Sequence, residues 1–191
     1  AEDTRALVRP LYEGKALRTG ESFAAHADGI AAIVSTMRPD PDLLVAAQLF
    51  GVHDVLRDPD EWLRSRFGPV VAQLVSDLRQ LMRLSELTRA REETKGRSQA
   101  EDQPEALRRM LLAMTNDLRV VLLRLASRLQ TLRFYAVNRR PGAEPFARET
   151  LDLYAPLANR LGIWQLKWEL EDLSFRFLDP ETYKSVARML D

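Results

Sequence analysis

Asp117-Leu118-Arg119-Val120-Val121-Leu122-Leu123-Arg124-Leu125-Ala126-Ser127-Arg128-Leu129-Gln130-Thr131-Leu132-Arg133-Phe134-Tyr135 places Leu118, Val121, Leu122, Leu125, Leu129 and Leu132 at steps of three and four. An α-helix repeats every ~3.6 residues, so this spacing lines one side of a helix with apolar side chains. It is the strongest helical signal in the chain. The composition agrees with it. The 191 residues include 31 Leu and only 3 Ile. Leu and Ala favour helix, whereas β-branched residues favour strand. The expected fold is an all-α bundle with negligible strand.

Helical signals flank this segment on both sides. Upstream, a first helix is expected over residues 5–19, ended by Gly20, and a second over residues 22–37, with Phe23, Ala27, Ile30, Ile33 and Val34 inward. Asp40-Pro41 and Asp58-Pro59 each read as an N-cap followed by Pro in the first turn, and the former opens a helix over residues 41–56. Gly68-Pro69 closes one helix and opens the next. Residues 88–104 hold almost no apolar side chain and predict a mobile polar loop. A further helix is expected over residues 105–114. Downstream, Pro141-Gly142 marks a turn, a helix over residues 145–161 should be kinked by Pro156, and helices follow over residues 163–178 and 180–190.

Composition excludes several functions. Lys plus Arg is 28 and Asp plus Glu is 28, a net charge of +0, so the chain lacks the basic excess of a general nucleic-acid binder. The 24 Arg against 4 Lys read as Arg-rich codon usage. With Cys at 0, disulfide scaffolds, cysteine nucleophiles and zinc ribbons are ruled out, and a reducing compartment fits. No run reaches the ~18 apolar residues needed to cross a bilayer. The opening Ala-Glu-Asp-Thr-Arg has neither an initiator Met nor the blocks of a signal peptide, so a trimmed cytoplasmic protein is expected.

Few side chains offer chemistry. The two histidines are His26 and His53, and no nucleophile-elbow motif accompanies them. Trp62, Trp164 and Trp168 are readable as stacking platforms, but Trp164 and Trp168 stand four apart and predict packing against a neighbour. His53-Asp54 is suggestive. A His, a His-Asp pair and a distant Asp on helices can hold a divalent metal, which activates a bound water and polarises a phosphoryl oxygen. The alternative places both residues on the wet end of a helix.

The C-terminal third carries a family resemblance. Tyr154-Ala155-Pro156-Leu157-Ala158-Asn159-Arg160-Leu161-Gly162-Ile163, Gln165-Leu166-Lys167-Trp168-Glu169-Leu170-Glu171-Asp172 and Phe175-Arg176-Phe177-Leu178-Asp179-Pro180 resemble the RelA/SpoT family, which makes and degrades the alarmone (p)ppGpp. Gly20-Glu21-Ser22-Phe23-Ala24-Ala25-His26 is similar to the family segment that supplies the first metal histidine. The resemblance implies a single helical HD-type hydrolase domain over residues 1–191. In active members such a domain removes the 3′-pyrophosphate of (p)ppGpp with manganese. A synthetase domain is expected to follow.

On that resemblance His26 matches the first ligand. The family's His-Asp pair follows an Ala-Ala run, here Ala46-Ala47, and falls on Gly51 and Val52, so His53-Asp54 lies two residues late. The distal Ala-Asp-Arg-Leu-His-Asn motif reads Ala126-Ser127-Arg128-Leu129-Gln130-Thr131, placing Ser127 at the metal Asp and Gln130 and Thr131 at the His and Asn. The vestigial positions are therefore His26, Gly51, Val52, Ser127, Gln130 and Thr131. The expectation is a degenerate hydrolase domain without catalytic residues or a cofactor of its own, manganese belonging to active members and magnesium to the synthetase domain. It would act as scaffold and regulator of a RelA-type GTP pyrophosphokinase, with the synthetase domain and, through the longer protein, the ribosome as partners, and no membrane. Two alternatives stand beside it. One is a rearranged hydrolase using His26 with His53-Asp54 and an acid such as Asp58. The other is a module that binds (p)ppGpp or GTP without cutting it, through Arg18, Thr19 and Arg128.

Overall fold

The computed structural model describes residues 2–37, 40–94 and 117–190. The described residues form helices α1 (Glu2–Tyr12), α2 (Phe23–Met37), α3 (Pro41–Gln48), α4 (Pro59–Thr94), α5 (Leu118–Asn138), α6 (Ala143–Glu149), α7 (Ala155–Arg160), α8 (Trp164–Leu178) and α9 (Pro180–Leu190). A 3-10 turn spans Val52–Asp54 and a π turn spans Thr150–Tyr154. The extended pairing among the described residues is one isolated bridge, Ala16 to Ser22. The all-α expectation holds. The chain divides into two compact units, Ala1–Ser127 and Arg128–Asp191.

In the first unit α2 packs on α3, α3 on α4, and α1 on both α2 and α3. Asp28 of α2 ties these elements together. Its carboxylate accepts from Arg5 at 2.6 Å and from the Gln48 amide at 3.2 Å. Asp40 caps α3, accepting from the Asp42 and Leu43 amides at 3.0 and 3.4 Å. Its other oxygen takes Arg119 at 3.3 Å, joining the start of α5 to the cap of α3. Hydrogen bonds to the Asp117 and Asp40 carboxylates hold the Arg119 guanidinium still more firmly charged than a free arginine.

Residues 120–129 of α5 are buried without a break. Val120, Leu123 and Ala126 complete the apolar ring begun by Val121, Leu122, Leu125 and Leu129, and the same stretch also buries Arg124, Ser127 and Arg128. Each such Leu contributes about 1.5–3 kcal/mol by leaving water. Leu118, expected inside, is exposed at the helix start.

Several boundaries differ from the sequence reading. The first helix stops at Tyr12 rather than residue 19. Gly20, at φ 92°, closes a tight turn in which its amide meets the Leu17 carbonyl at 2.8 Å. The helix expected over residues 41–56 ends at Gln48. The Gly51 amide donates to Tyr12 Oη at 3.2 Å instead of continuing the helical ladder, and the chain tightens into the 3-10 turn. Helix α4 continues through residues 88–94, where a loop was expected. Arg89, Ala90, Arg91, Glu92 and Glu93 are all good helix formers, and polarity alone does not break a helix. The rest of that stretch and the helix expected over residues 105–114 lie outside the described residues. Gly68 breaks α4 at φ 84°, a conformation that a Cβ would disfavour.

In the second unit α6, the π turn and α7 all pack on α8, and α9 lies against α8. Pro156 has no amide proton for the Asp152 carbonyl, so the helix widens by one residue before it. The Ala155 amide reaches back five residues to Thr150. The expected kink is thus a π turn. Asp179 caps α9, accepting from the Thr182 amide at 3.1 Å.

Candidate functional site

The candidate site lies in the first unit, around His26 on α2. Ser22 caps this helix, its hydroxyl accepting from the Ala25 amide at 3.2 Å. The preceding loop is fixed by the Leu17 amide on the Glu21 carbonyl at 2.8 Å and the Phe23 amide on the Lys15 carbonyl at 3.0 Å. This pairing turns Glu21 inward, where it is 2% exposed. His26 is 1% exposed, and Ser127 on α5 is 2% exposed.

These three side chains form a hydrogen-bonded chain. His26 Nδ1 lies 2.7 Å from Glu21 Oε2, and His26 Nε2 lies 2.8 Å from Ser127 Oγ. A carboxylate only accepts, so Nδ1 carries its proton. At Nε2 the ring and the Ser127 hydroxyl share one hydrogen bond. The order acid, imidazole, hydroxyl is that of an activated serine nucleophile. Here the hydroxyl is buried in the middle of a helix, so the arrangement closes a core rather than facing a substrate.

An aromatic cluster of Tyr12, Phe23 and Phe50 reaches His26 through Phe50. The Phe50 ring stands 5.0 Å from the imidazole, centroid to centroid. Tyr12 and Phe23 meet edge to face at 5.6 Å, and Phe23 and Phe50 at 5.4 Å. The Tyr12 hydroxyl donates to the Gln48 carbonyl at 2.9 Å and accepts from the Gly51 amide. Burial raises the Tyr12 phenol well above its ordinary pKa, against the Gly51 hydrogen bond, with a smaller push from Asp54. The folded state therefore favours the neutral phenol. An unfolded tyrosine ionises near pH ~10, so stability is fully present below that pH and falls as pH rises above it. Tyr12→Phe should remove that alkaline slope and cost about 1–3 kcal/mol at neutral pH, because the Gln48 carbonyl and Gly51 amide lose a partner. Urea melts of both proteins from about pH 8 to about pH 11, a range that spans the ordinary tyrosine pKa of about 10, check both effects.

The vestigial positions fall as follows. Gly51 is buried beside Phe23 and Tyr12, Val52 is buried, and Ser127 is bonded to His26. Gln130 and Thr131 lie on α5 in the second unit, half-buried and buried. His53 bonds to Asp60 at 3.1 Å, and Asp54 pairs with Arg79. Neither joins His26. Arg18 is exposed in the turn, and the Thr19 hydroxyl accepts from the Glu21 amide at 3.4 Å. Arg128 is 0% exposed. It donates to Thr150 Oγ1 at 2.9 Å, the Phe146 carbonyl at 2.8 Å and Glu149 at 2.9 Å. Its guanidinium lies between the Phe146 ring at 3.6 Å and the Tyr154 ring at 4.2 Å. These three bonds stay within the second unit, and the side chain is closed to solvent.

The donor set does not fit the manganese that the family resemblance implies. Among the described residues no three His, Cys, Asp or Glu side chains converge to hold a metal. Gly51 and Val52 offer no side-chain donor, a serine hydroxyl is a poor ligand for a hard dication, and both nitrogens of His26 are committed. Sequence reasoning found His26 and Ser127 but missed Glu21, Tyr12, Phe23 and Phe50. An acid five residues before a buried histidine was the available signal for Glu21.

Trp164 and Trp168, expected to pack against a neighbour, are 53% and 64% exposed on α8. Leu166, Leu170 and Leu173 instead form the buried side of that helix. Trp62 is half-buried, against Phe67 at 5.5 Å and under Arg66 at 5.4 Å. Among the described residues no helix is long and apolar enough to cross a membrane.

An HD domain family model matches residues 4–164. The chain is 37% identical over 188 residues to a guanosine-3′,5′-bis(diphosphate) 3′-pyrophosphohydrolase of Haemophilus influenzae, covering 97% of this chain and 26% of that protein. It is 35% identical over 187 residues to the bifunctional (p)ppGpp synthase/hydrolase SpoT of Escherichia coli K12, covering 96% and 25%. It is 42% identical over 160 residues to a GTP pyrophosphokinase of the same organism, covering 83% and 21%. The chain thus spans about a quarter of the length of these relatives. The all-helical fold, the histidine at the start of α2 and these matches together place the chain in the HD domain family, on its RelA/SpoT branch.

Proposed function

We propose that this HD domain does not hydrolyse (p)ppGpp, and that it acts as scaffold and regulator of a RelA-type GTP pyrophosphokinase. That enzyme would transfer pyrophosphate from ATP to GTP or GDP in the cytoplasm. The observation that carries the reading is the commitment of both His26 nitrogens, to Glu21 and to Ser127, where a metal centre needs open donors. The similarity to a curated GTP pyrophosphokinase agrees with it. Incubating the purified chain with manganese and ppGpp should release no pyrophosphate above the rate without protein. Sustained release would overturn the reading.

The exposed Trp164 and Trp168 support the scaffold role, since large aromatic side chains are enriched where proteins meet. Alanine at both positions in the longer protein should alter synthetase activity while leaving this domain's melting midpoint within about 2 °C, as surface substitutions do. Unchanged synthesis would remove these residues from the role.

A second reading, a working hydrolase, draws on the names of the relatives. A rearranged site would have to bring His53 and Asp54 to His26. It would first have to break the contacts of His53 with Asp60 and of Asp54 with Arg79.

A further inference from the structure

We propose that the groove at the start of α4 binds a guanine nucleotide. The groove has a volume of about 370 Å³ and is lined by Leu56, Arg57, Asp58, Glu61, Trp62 and Ser65. That volume lies within the range of small-molecule sites. None of these residues takes part in the hydrogen bonds of His26 or in the aromatic cluster beside it. The Asp58 carbonyl takes the Trp62 amide at 3.3 Å, which sets Asp58 at the head of the helix. Glu61, Trp62 and Ser65 follow it by three, four and seven positions, so one face of the first turns supplies most of the wall.

The chemistry of the lining selects the ligand. Trp62 is half-buried and held by Phe67 at 5.5 Å and the Arg66 guanidinium at 5.4 Å, so its indole is a fixed wall on which a planar base can stack. Arg57, Asp58 and Glu61 are exposed, and among the described residues no ion pair engages them. The neighbouring acids are engaged, Asp54 by Arg79 and Asp60 by His53. Residues 56–66 carry three Arg against three acids. That balance steers neither a polycation nor a polyanion, and it fits a ligand that bears both a donor edge and an anion. A carboxylate only accepts, and its two oxygens match the adjacent N1–H and N2–H donors of guanine. Adenine offers one donor beside an acceptor on the same edge, so the groove prefers guanine. Arg57 supplies a guanidinium fork for a phosphate. Ser65 Oγ already donates to the Trp62 carbonyl at 3.2 Å and is left to accept from a ribose hydroxyl.

The inference stands apart from the question of hydrolysis, because the probe is GDP, which has no 3′-pyrophosphate to lose. Trp164 and Trp168 are exposed, so the whole chain carrying Trp164→Phe and Trp168→Phe keeps its fold and retains Trp62 as its single tryptophan. Its fluorescence, excited beyond the absorbance of guanine, then reports the groove alone. GDP should quench that emission saturably, with ADP weaker by about tenfold, the factor expected of one lost charge-assisted hydrogen bond. Asp58→Asn with Glu61→Gln should weaken GDP by a similar factor and abolish the preference over ADP. The melting midpoint should stay within about 2 °C, as for other surface substitutions. Arg57→Ala should weaken GDP more than it weakens guanosine, which has no phosphate. The proposal is overturned by no saturable quenching at millimolar GDP, by equal affinity for GDP and ADP, or by full affinity after the paired carboxylate change. An Arg57→Ala loss that is the same for guanosine overturns it too.

Discussion

Arg128→Ala should cost about 3–5 kcal/mol, the usual loss when one partner of a buried charged network is removed. The side chain is fully buried, and its guanidinium donates charge-assisted hydrogen bonds to the Glu149 carboxylate, the Thr150 hydroxyl and the Phe146 carbonyl. Two aromatic faces cover the guanidinium plane, a contact worth about 2 kcal/mol when desolvated. The network also fixes the π turn. Thr150, its first residue, donates to the Phe146 carbonyl at 2.7 Å and accepts from Arg128. Arg128→Lys keeps the charge but loses the planar fork and the stacking, so it should still cost about 2 kcal/mol. Glu149→Gln should cost less than either, because the Glu149 side chain retains 23% exposure. Urea denaturation followed by circular dichroism ranks the three. A loss below about 1 kcal/mol for Arg128→Ala, the range of an ordinary surface substitution, would show that the guanidinium is not the keystone of this turn.

The parts of the fold that were legible in the sequence rest on local rules. Helix α5 announced itself by spacing, and Asp40-Pro41 and Asp179-Pro180 announced helix starts because a cap and its first turn are adjacent in sequence. The end of α3 was hidden. It depends on Tyr12, which takes the Gly51 amide from 39 residues away. Residues 88–94 misled for a different reason. Low hydrophobicity suggests a loop, although Arg, Ala and Glu sustain a helix.

The candidate site divides in the same way. His26 and Ser127 were found because each sits in a stretch that resembles the family, yet nothing in the sequence revealed that they touch across 101 residues. Glu21 and the aromatic cluster assemble only when the loop at Ala16 and Ser22 pairs and folds over α2. Arg128 enters as a nucleotide contact through the family resemblance, whereas its burial is not legible in the sequence, because Phe146, Glu149, Thr150 and Tyr154 come from 18 to 26 positions downstream to enclose it. The tryptophans of α8 err in the opposite direction. Spacing of four puts Trp164 and Trp168 on one face, but spacing does not say which face is covered, and the leucines took the inner one.

His26→Ala should cost about 3–5 kcal/mol, and that size would mark the histidine as structural rather than as a surviving ligand with nothing to hold. The substitution takes the imidazole from a carboxylate that is 2% exposed and opens a cavity beside Phe50. Ser127→Ala removes the hydrogen bond at the far end of the chain and should cost only about 1 kcal/mol. Glu21→Gln should fall between them, because an amide can still accept from Nδ1 but loses the charge that strengthens the bond. The decisive measurement is the cycle of His26→Ala with Glu21→Gln. If the pair acts as a unit, the double variant should be more stable than the sum of the two losses by more than about 1 kcal/mol. Additive losses would mean that Glu21 and His26 merely lie close together. In that case the hydrogen-bonded chain would not explain why a histidine remains buried in a domain without a metal-holding cluster among its described residues.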